Sequence, residues 1–196
     1  MRRGATGPIR RSLMEQSIIE RFEGSDFTGF WKRVLINVLD VLILALPAYF
    51  LNNWMLEAAE NYHSVIPLLF QWLLMAAFDI FMVVRFGGTP ARLLLKTRII
   101  DESGAYPTLK QAVIRYSFLL VNSFLAVINL TGSASLPPVT PDLSNWAPLA
   151  AGLTQIISVI ILIDCLIIVF TPQKRAFHDV MAGTYVVNKT ALDELK

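Results

Sequence analysis

Four apolar stretches of this sequence each contain one ionisable side chain that water would normally solvate. They are Asp40, Asp79, Arg115 and Asp164. A carboxylate in the middle of an apolar helix costs about 2.5–3.5 kcal/mol when that helix enters a membrane. Each of these side chains therefore needs a partner of opposite charge, contact with water, or a titratable role.

The four side chains lie at a similar depth if their segments cross a membrane as helices. Each is six or seven residues from the polar end of its segment, a distance of about 9–10 Å along a helix. The shared depth predicts one polar cluster near one face of the membrane, made of Arg33, Asp40, Asp79, Arg115 and Asp164.

Two interpretations of this cluster are open. In the first, it is a cation or proton site with Asp40 and Asp79 as titrating ligands, because grouped carboxylates in a low-dielectric medium bind protons readily and mark ion pathways. In the second, Arg33 and Arg115 neutralise two aspartates and fix the packing of the helices, while the third aspartate is protonated or hydrated.

Other residue patterns give no support for enzymatic chemistry, and we predict no catalytic residue, cofactor or metal site. His178-Asp179 is interpreted as a hydrogen-bonded pair that orders a turn, with a catalytic or metal role as the alternative. The lone Cys165 lies in an apolar run, which is typical of a small buried side chain. The formal net charge of +2 is too small to indicate binding of nucleic acid.

The composition predicts a polytopic membrane protein of the all-α class. The chain is 55% hydrophobic and 16% charged, whereas a soluble domain carries about 25% charged residues. The apolar blocks are long enough to span a bilayer, which needs about 20 residues. We predict a four-helix transmembrane bundle with helices at about 31–51, 65–84, 109–130 and 147–170.

Short segments outside these helices complete the predicted organisation. Residues 1–26 form a basic N-terminal segment, 27–188 the transmembrane domain and 189–196 a tail. The four-residue spacing of Met14, Ile18 and Phe22 predicts a short amphipathic helix that lies on the membrane surface or packs on the rest of the protein.

The connections between the second and third helices carry further signals. Thr89-Pro90 predicts a short helix with Thr as its cap, and Thr108 with Gln111 predicts a capping box. A strand at 184–187 could pair with residues 97–100. Residues 91–100 are short and cationic, so this segment is predicted to lie at the membrane interface. Its cations are predicted to contact anionic lipid headgroups: Arg92, Lys96 and Arg98.

The distribution of positive charge predicts the orientation. Of the 17 Lys and Arg residues, seven lie before or in the first turn of the first helix, five lie between 85 and 110, Arg115 is one more and four follow the last helix. The loops at 52–64 and 131–145 contain none. Because short loops rich in Lys and Arg stay in the cytoplasm, both termini are predicted to be cytoplasmic.

Three stretches resemble the RDD family of bacterial and archaeal membrane proteins. They are GFWKRVLINVLDVLI (29–43), GGTPARLLLKTRIIDESGAYPTLKQAVIRY (87–116) and TPQKRAFHDVMAGTYVV (171–187). The resemblance implies that the family's motif residues correspond to Arg33, Asp40, His178 and Asp179. Where the family usually has Gly-Lys after Thr-Pro, this chain has Ala91-Arg92, which keeps the cation.

The resemblance implies location in the bacterial inner membrane and leaves two classes of function. Cation/proton antiport has been proposed for some family members, and it agrees with the first interpretation of the polar cluster. Other members resemble accessory or scaffold subunits of membrane complexes. A lipid-interacting module is a variant that lies between these two classes of function. The expected partners are membrane lipids and either another membrane protein or a second copy of this chain.

Overall fold

A computed structural model of the protein describes residues 18–132 and 141–194. Four of its helices are long and apolar enough to cross a membrane, which confirms the predicted all-α membrane fold. The elements, in chain order, are a 3₁₀ turn (Ile18–Arg21), α1 (Phe30–Tyr62), α2 (Ile66–Phe86), α3 (Pro90–Leu94), β1 (Thr97–Asp101), α4 (Leu109–Thr131), α5 (Pro141–Ser144), α6 (Ala147–Ile167), α7 (Phe177–Met181), β2 (Thr184–Asn188) and α8 (Lys189–Glu194).

Helix α1 is much longer than the sequence predicted, because the expected loop at 52–64 is helical as far as Tyr62. Residues 52–62 contain several strong helix formers and neither Gly nor Pro, so nothing in them ends the helix. The helix ends where His63 adopts a left-handed conformation with φ 46°. Its 33 residues extend about 50 Å, well beyond a hydrocarbon core of about 30 Å.

The other three spanning helices lie close to their predicted ranges. Helix α4 begins with the predicted capping box, in which the Thr108 side chain accepts from the backbone N–H of Gln111. Helix α6 ends at Ile167, three residues before its predicted end. The spans pack in sequence, α1 on α2, α2 on α4 and α4 on α6.

A two-stranded antiparallel sheet lies at one end of the helices, which we call the sheet end. Strand β1 pairs with β2 so that Thr97 faces Asn188 and Asp101 faces Thr184, and this confirms the predicted pairing. The N–H of Ile99 donates to the carbonyl of Gly87 at 2.6 Å, which ties β1 to the end of α2. Gly87 has φ 72° and lies against the ring of Tyr106, so a side chain at this position would be strained.

Residues from both ends of the described chain share one core with the sheet. Ile19 and Phe22 pack with Tyr185 of β2 and with Leu192 of α8. The described part of the predicted N-terminal amphipathic helix therefore packs on the rest of the protein, one of the two predicted arrangements. Met14, the first apolar position of that predicted helix, lies outside the described residues, as does most of the loop at 131–145.

Candidate functional site

Asp179 is the centre of an ion-pair cluster at the sheet end, and its side chain is fully buried. The N–H group of Arg33 Nη1 donates to Asp179 Oδ2 at 2.6 Å, and Arg115 Nη1 forms an ion pair with Asp179 Oδ1. Spans α1 and α4 thus meet at a carboxylate from α7. We use the name ion-pair cluster for Arg33, Arg115, Asp164, His178 and Asp179.

The two arginines of the ion-pair cluster have further partners. Arg33 Nε donates to the carbonyl of Thr28 at 3.1 Å, and its Nη2 donates to the carbonyl of Lys174 at 2.5 Å. Arg115 Nη1 donates to the hydroxyl of Thr184 at 2.9 Å. Because a buried charge is costly unless it is paired and hydrogen-bonded, these contacts stabilise the two buried guanidinium groups.

His178 connects Asp164 to the rest of the ion-pair cluster. Its backbone N–H donates to Asp164 Oδ1 at 3.1 Å, its Nδ1 is hydrogen-bonded to Asp164 Oδ2, and its Nε2 lies 3.3 Å from Asp179 Oδ1. Burial lowers the pKa of His178 to about 4, although the hydrogen bond to Asp164 raises it. With His178 neutral, the two positive charges of Arg33 and Arg115 balance the two negative charges of Asp164 and Asp179.

Asp40 lies outside the ion-pair cluster and binds the start of α3. Its Oδ2 accepts from the hydroxyl of Thr89 at 2.5 Å, and its Oδ1 accepts from the N–H of Ala91 at 2.8 Å. Thr89 occupies the predicted cap position but makes no cap hydrogen bond with its own side chain. The carboxylate of α1 therefore caps the short helix that follows α2.

Replacing Asp40 by Ala should destabilise the protein by about 1–2 kcal/mol, because α3 loses its cap and Thr89 its acceptor. Asp40→Asn should cost less, since its amide oxygen can still accept from Ala91. Thermal unfolding in detergent measures both changes. Asp193→Ala on the exposed side of α8 serves as the control, and an equal loss in this variant would contradict the capping role.

Asp79 forms no hydrogen bond or ion pair with any residue in 18–132 or 141–194. It lies at one end of a cavity of about 330 Å³ between α1, α2 and α4. The cavity wall is mostly apolar, with polar groups from Asn52, Gln71 and Ser123 at intervals. The carboxylate of Asp79, which has no partner among the described residues, thus lines a cavity inside the spanning region.

Arg92 is a second ionisable side chain for which the described residues provide no ion pair. It is only 9% exposed, and its Nε and Nη1 atoms are buried and form no hydrogen bond within the described part of the chain. The sequence predicted a headgroup contact for Arg92, but α3 directs this side chain into the interior. Lys96 is exposed as predicted for a headgroup contact, and half-buried Arg98 donates to the carbonyl of Thr97 at 2.8 Å.

The predicted single layer is therefore two assemblies with different properties. Arg33, Arg115 and Asp164 belong to the ion-pair cluster. The residue spacing alone had not identified Asp179, at the centre of this cluster, as their partner. Tyr116 interacts electrostatically with Asp40, Asp79 and Arg92, and also with Arg115 of the ion-pair cluster. We use the name open group for Asp40, Asp79, Arg92 and Tyr116.

The fold and these contacts define a class of multi-pass helical membrane protein in which an aspartate that follows the last span, Asp179, pairs with arginines of two spans. The model of the RDD family matches residues 27–183, and the chain belongs to that family. The matched range contains Arg33, Asp40, Asp164, His178 and Asp179. Searches of curated proteins and of solved structures each find nothing that matches the chain.

Proposed function

We propose that the protein is a non-enzymatic membrane carrier for a monovalent cation or a proton, with Asp79 as the carboxylate that binds and releases it. The observation that carries this proposal is the unpaired state of Asp79 at the end of the cavity. Asp164 and Asp179 are already paired with cations or with His178, so their charges are not available for exchange.

The surroundings of Asp79 favour a positively charged ligand. A carboxylate within a membrane is costly without a cation, a proton or water. Asp40 interacts electrostatically with Asp79, and a second negative charge increases the local attraction for a cation. The buried guanidinium of Arg92 interacts electrostatically with Asp40.

The shape of the cavity supports a route to Asp79 from the end opposite the sheet. Its lining residues on α2 run from Leu68 to Asp79, a length of about 16 Å along the helix. This is about half of a hydrocarbon core of about 30 Å. From the Lys and Arg distribution we propose that the sheet end is cytoplasmic, so that the cavity opens away from the cytoplasm of a bacterial inner membrane.

The test is proton movement in proteoliposomes that contain a pH-sensitive dye. Adding a monovalent cation should produce a pH change with the unaltered protein, and Asp79→Asn should abolish it while the amount of folded protein stays the same. Asp79→Glu, which keeps the carboxylate, should retain part of the activity. Asp193→Asn is the control for an acid on the exposed surface.

Full activity in Asp79→Asn would contradict this role. If the unaltered protein moves no protons and purifies in mild detergent with a stoichiometric partner, the accessory-subunit function is correct instead. Such a partner would have to contact the outward-facing apolar surfaces of the spans.

A further inference from the structure

We infer that α7, which is too short to cross a membrane, lies within the acyl-chain region of the leaflet at the sheet end. Its two faces have opposite character. Phe177, Val180 and Met181 are 46–52% exposed, whereas His178 and Asp179 point into the ion-pair cluster. A helix on a water-exposed surface has the reverse arrangement, with polar side chains outward and apolar side chains inward.

The depth of α7 follows from its contacts with two spans. The rings of Phe177 and Phe118 have centroids 6.4 Å apart. Phe118 is nine residues from the start of α4, or about 14 Å along a helix of about 35 Å. If α4 is centred in a hydrocarbon core of about 30 Å, Phe118 and the ring beside it lie about 10 Å below the headgroups.

The connection to α6 gives a similar position. The N–H of His178 donates to Asp164, which is three residues before the end of α6. After leaving α6, the chain therefore turns back toward the membrane before α7 begins. Val169 and Phe170, in the segment between these helices, are 59% and 84% exposed, so an outward apolar surface continues from α6 to α7.

Lipid tails fit this surface better than a second copy of the chain. The outer face of α7 offers three half-exposed side chains. A stable protein interface buries about 800 Å² on each partner, which is far more than three such side chains supply. The face is also continuous with the surface that the spans present to lipid. In this position α7 shields the ion-pair cluster from the acyl chains.

Spin labels in the full-length protein, reconstituted in nanodiscs, test the inference. The native Cys165 is replaced by Ala, and single cysteines are introduced at Phe177, Val180 and Met181. Collision rates with oxygen, which concentrates in lipid, and with a water-soluble nickel chelate are then measured. Labels at Leu162, on the outer surface of α6, and Glu102, in the turn after β1, give the lipid and water references.

We expect the three α7 positions to give an oxygen-to-nickel collision ratio close to that of Leu162 and several-fold above that of Glu102. A ratio like that of Glu102 would show that α7 faces water, and protection from both agents would show that protein covers it. Either result overturns the inference. Three positions keep the test decisive if one label disturbs folding. The result does not depend on Asp79, so the proposed transport function is tested separately.

Discussion

Replacing Asp179 by Asn should destabilise the folded protein by about 3–5 kcal/mol, the cost of removing one partner from a buried ion pair. The expected loss is large because Asp179 is the carboxylate that faces both Arg33 and Arg115. Without it, two buried guanidinium groups lose the carboxylate that pairs with both of them. Asp179 also accepts from the N–H of Ala176 at 3.1 Å, so the start of α7 loses a charged acceptor.

Unfolding of the purified protein in mixed detergent micelles measures this change. Asp193→Asn removes a carboxylate of α8 that lies on the surface, and we expect it to have almost no effect. A triple variant with apolar residues of similar volume at 33, 115 and 179 should regain part of the lost stability, because it no longer buries two guanidinium groups that have lost their shared carboxylate. Equal stability of Asp179→Asn and Asp193→Asn would contradict the central role of Asp179.

Lowering the pH from about 6.5 to about 4 should destabilise the protein through His178. Burial lowers the pKa of this histidine to about 4 in the folded state, whereas its ordinary value is 6.5. Within this window the unfolded chain binds a proton that the folded chain does not, so stability falls as pH falls and levels off below the folded-state pKa. At about 1.4 kcal/mol per pH unit, the full loss is about 3 kcal/mol.

The pH dependence of the melting temperature in detergent, compared between two variants, isolates this contribution. Asn at position 178 can donate to Asp164 without titrating, so His178→Asn should flatten the curve between pH 6.5 and 4. His63→Asn changes the other histidine, which is exposed at the end of α1, and should leave the slope unchanged. Parallel curves for the unaltered protein and His178→Asn would show that folding does not lower the pKa of this imidazole.

The spanning helices could be predicted from the sequence because a membrane requires long apolar segments. The ends of these helices were less certain. Helix α1 continues to Tyr62 since its last residues are polar yet still favour helix, and hydropathy measures only where an apolar run stops. The sheet pairing was predictable because two short strand-like segments flank the spans on the same side.

The partners of the ionisable residues were harder to predict because depth in a membrane does not specify direction around a helix. Each residue turns the helix by about 100°, so groups at one level can face different neighbours. Asp40 and Arg33 are on the same helix, yet Asp40 binds α3 and Arg33 binds Asp179. Arg33 and Asp179 are 146 positions apart, and only the resemblance to a known family grouped Asp179 with Arg33 in one motif set.

The position of Asp179 in the chain has a consequence for biosynthesis. During translation, the spans that carry Arg33 and Arg115 emerge from the ribosome long before residue 179 does. Until then, both guanidinium groups lack the counter-ion that permits their burial. A nascent polypeptide that terminates early keeps two exposed cationic side chains in its spans and cannot close around them. We therefore expect the ion-pair cluster to close only after residue 179 has been synthesised.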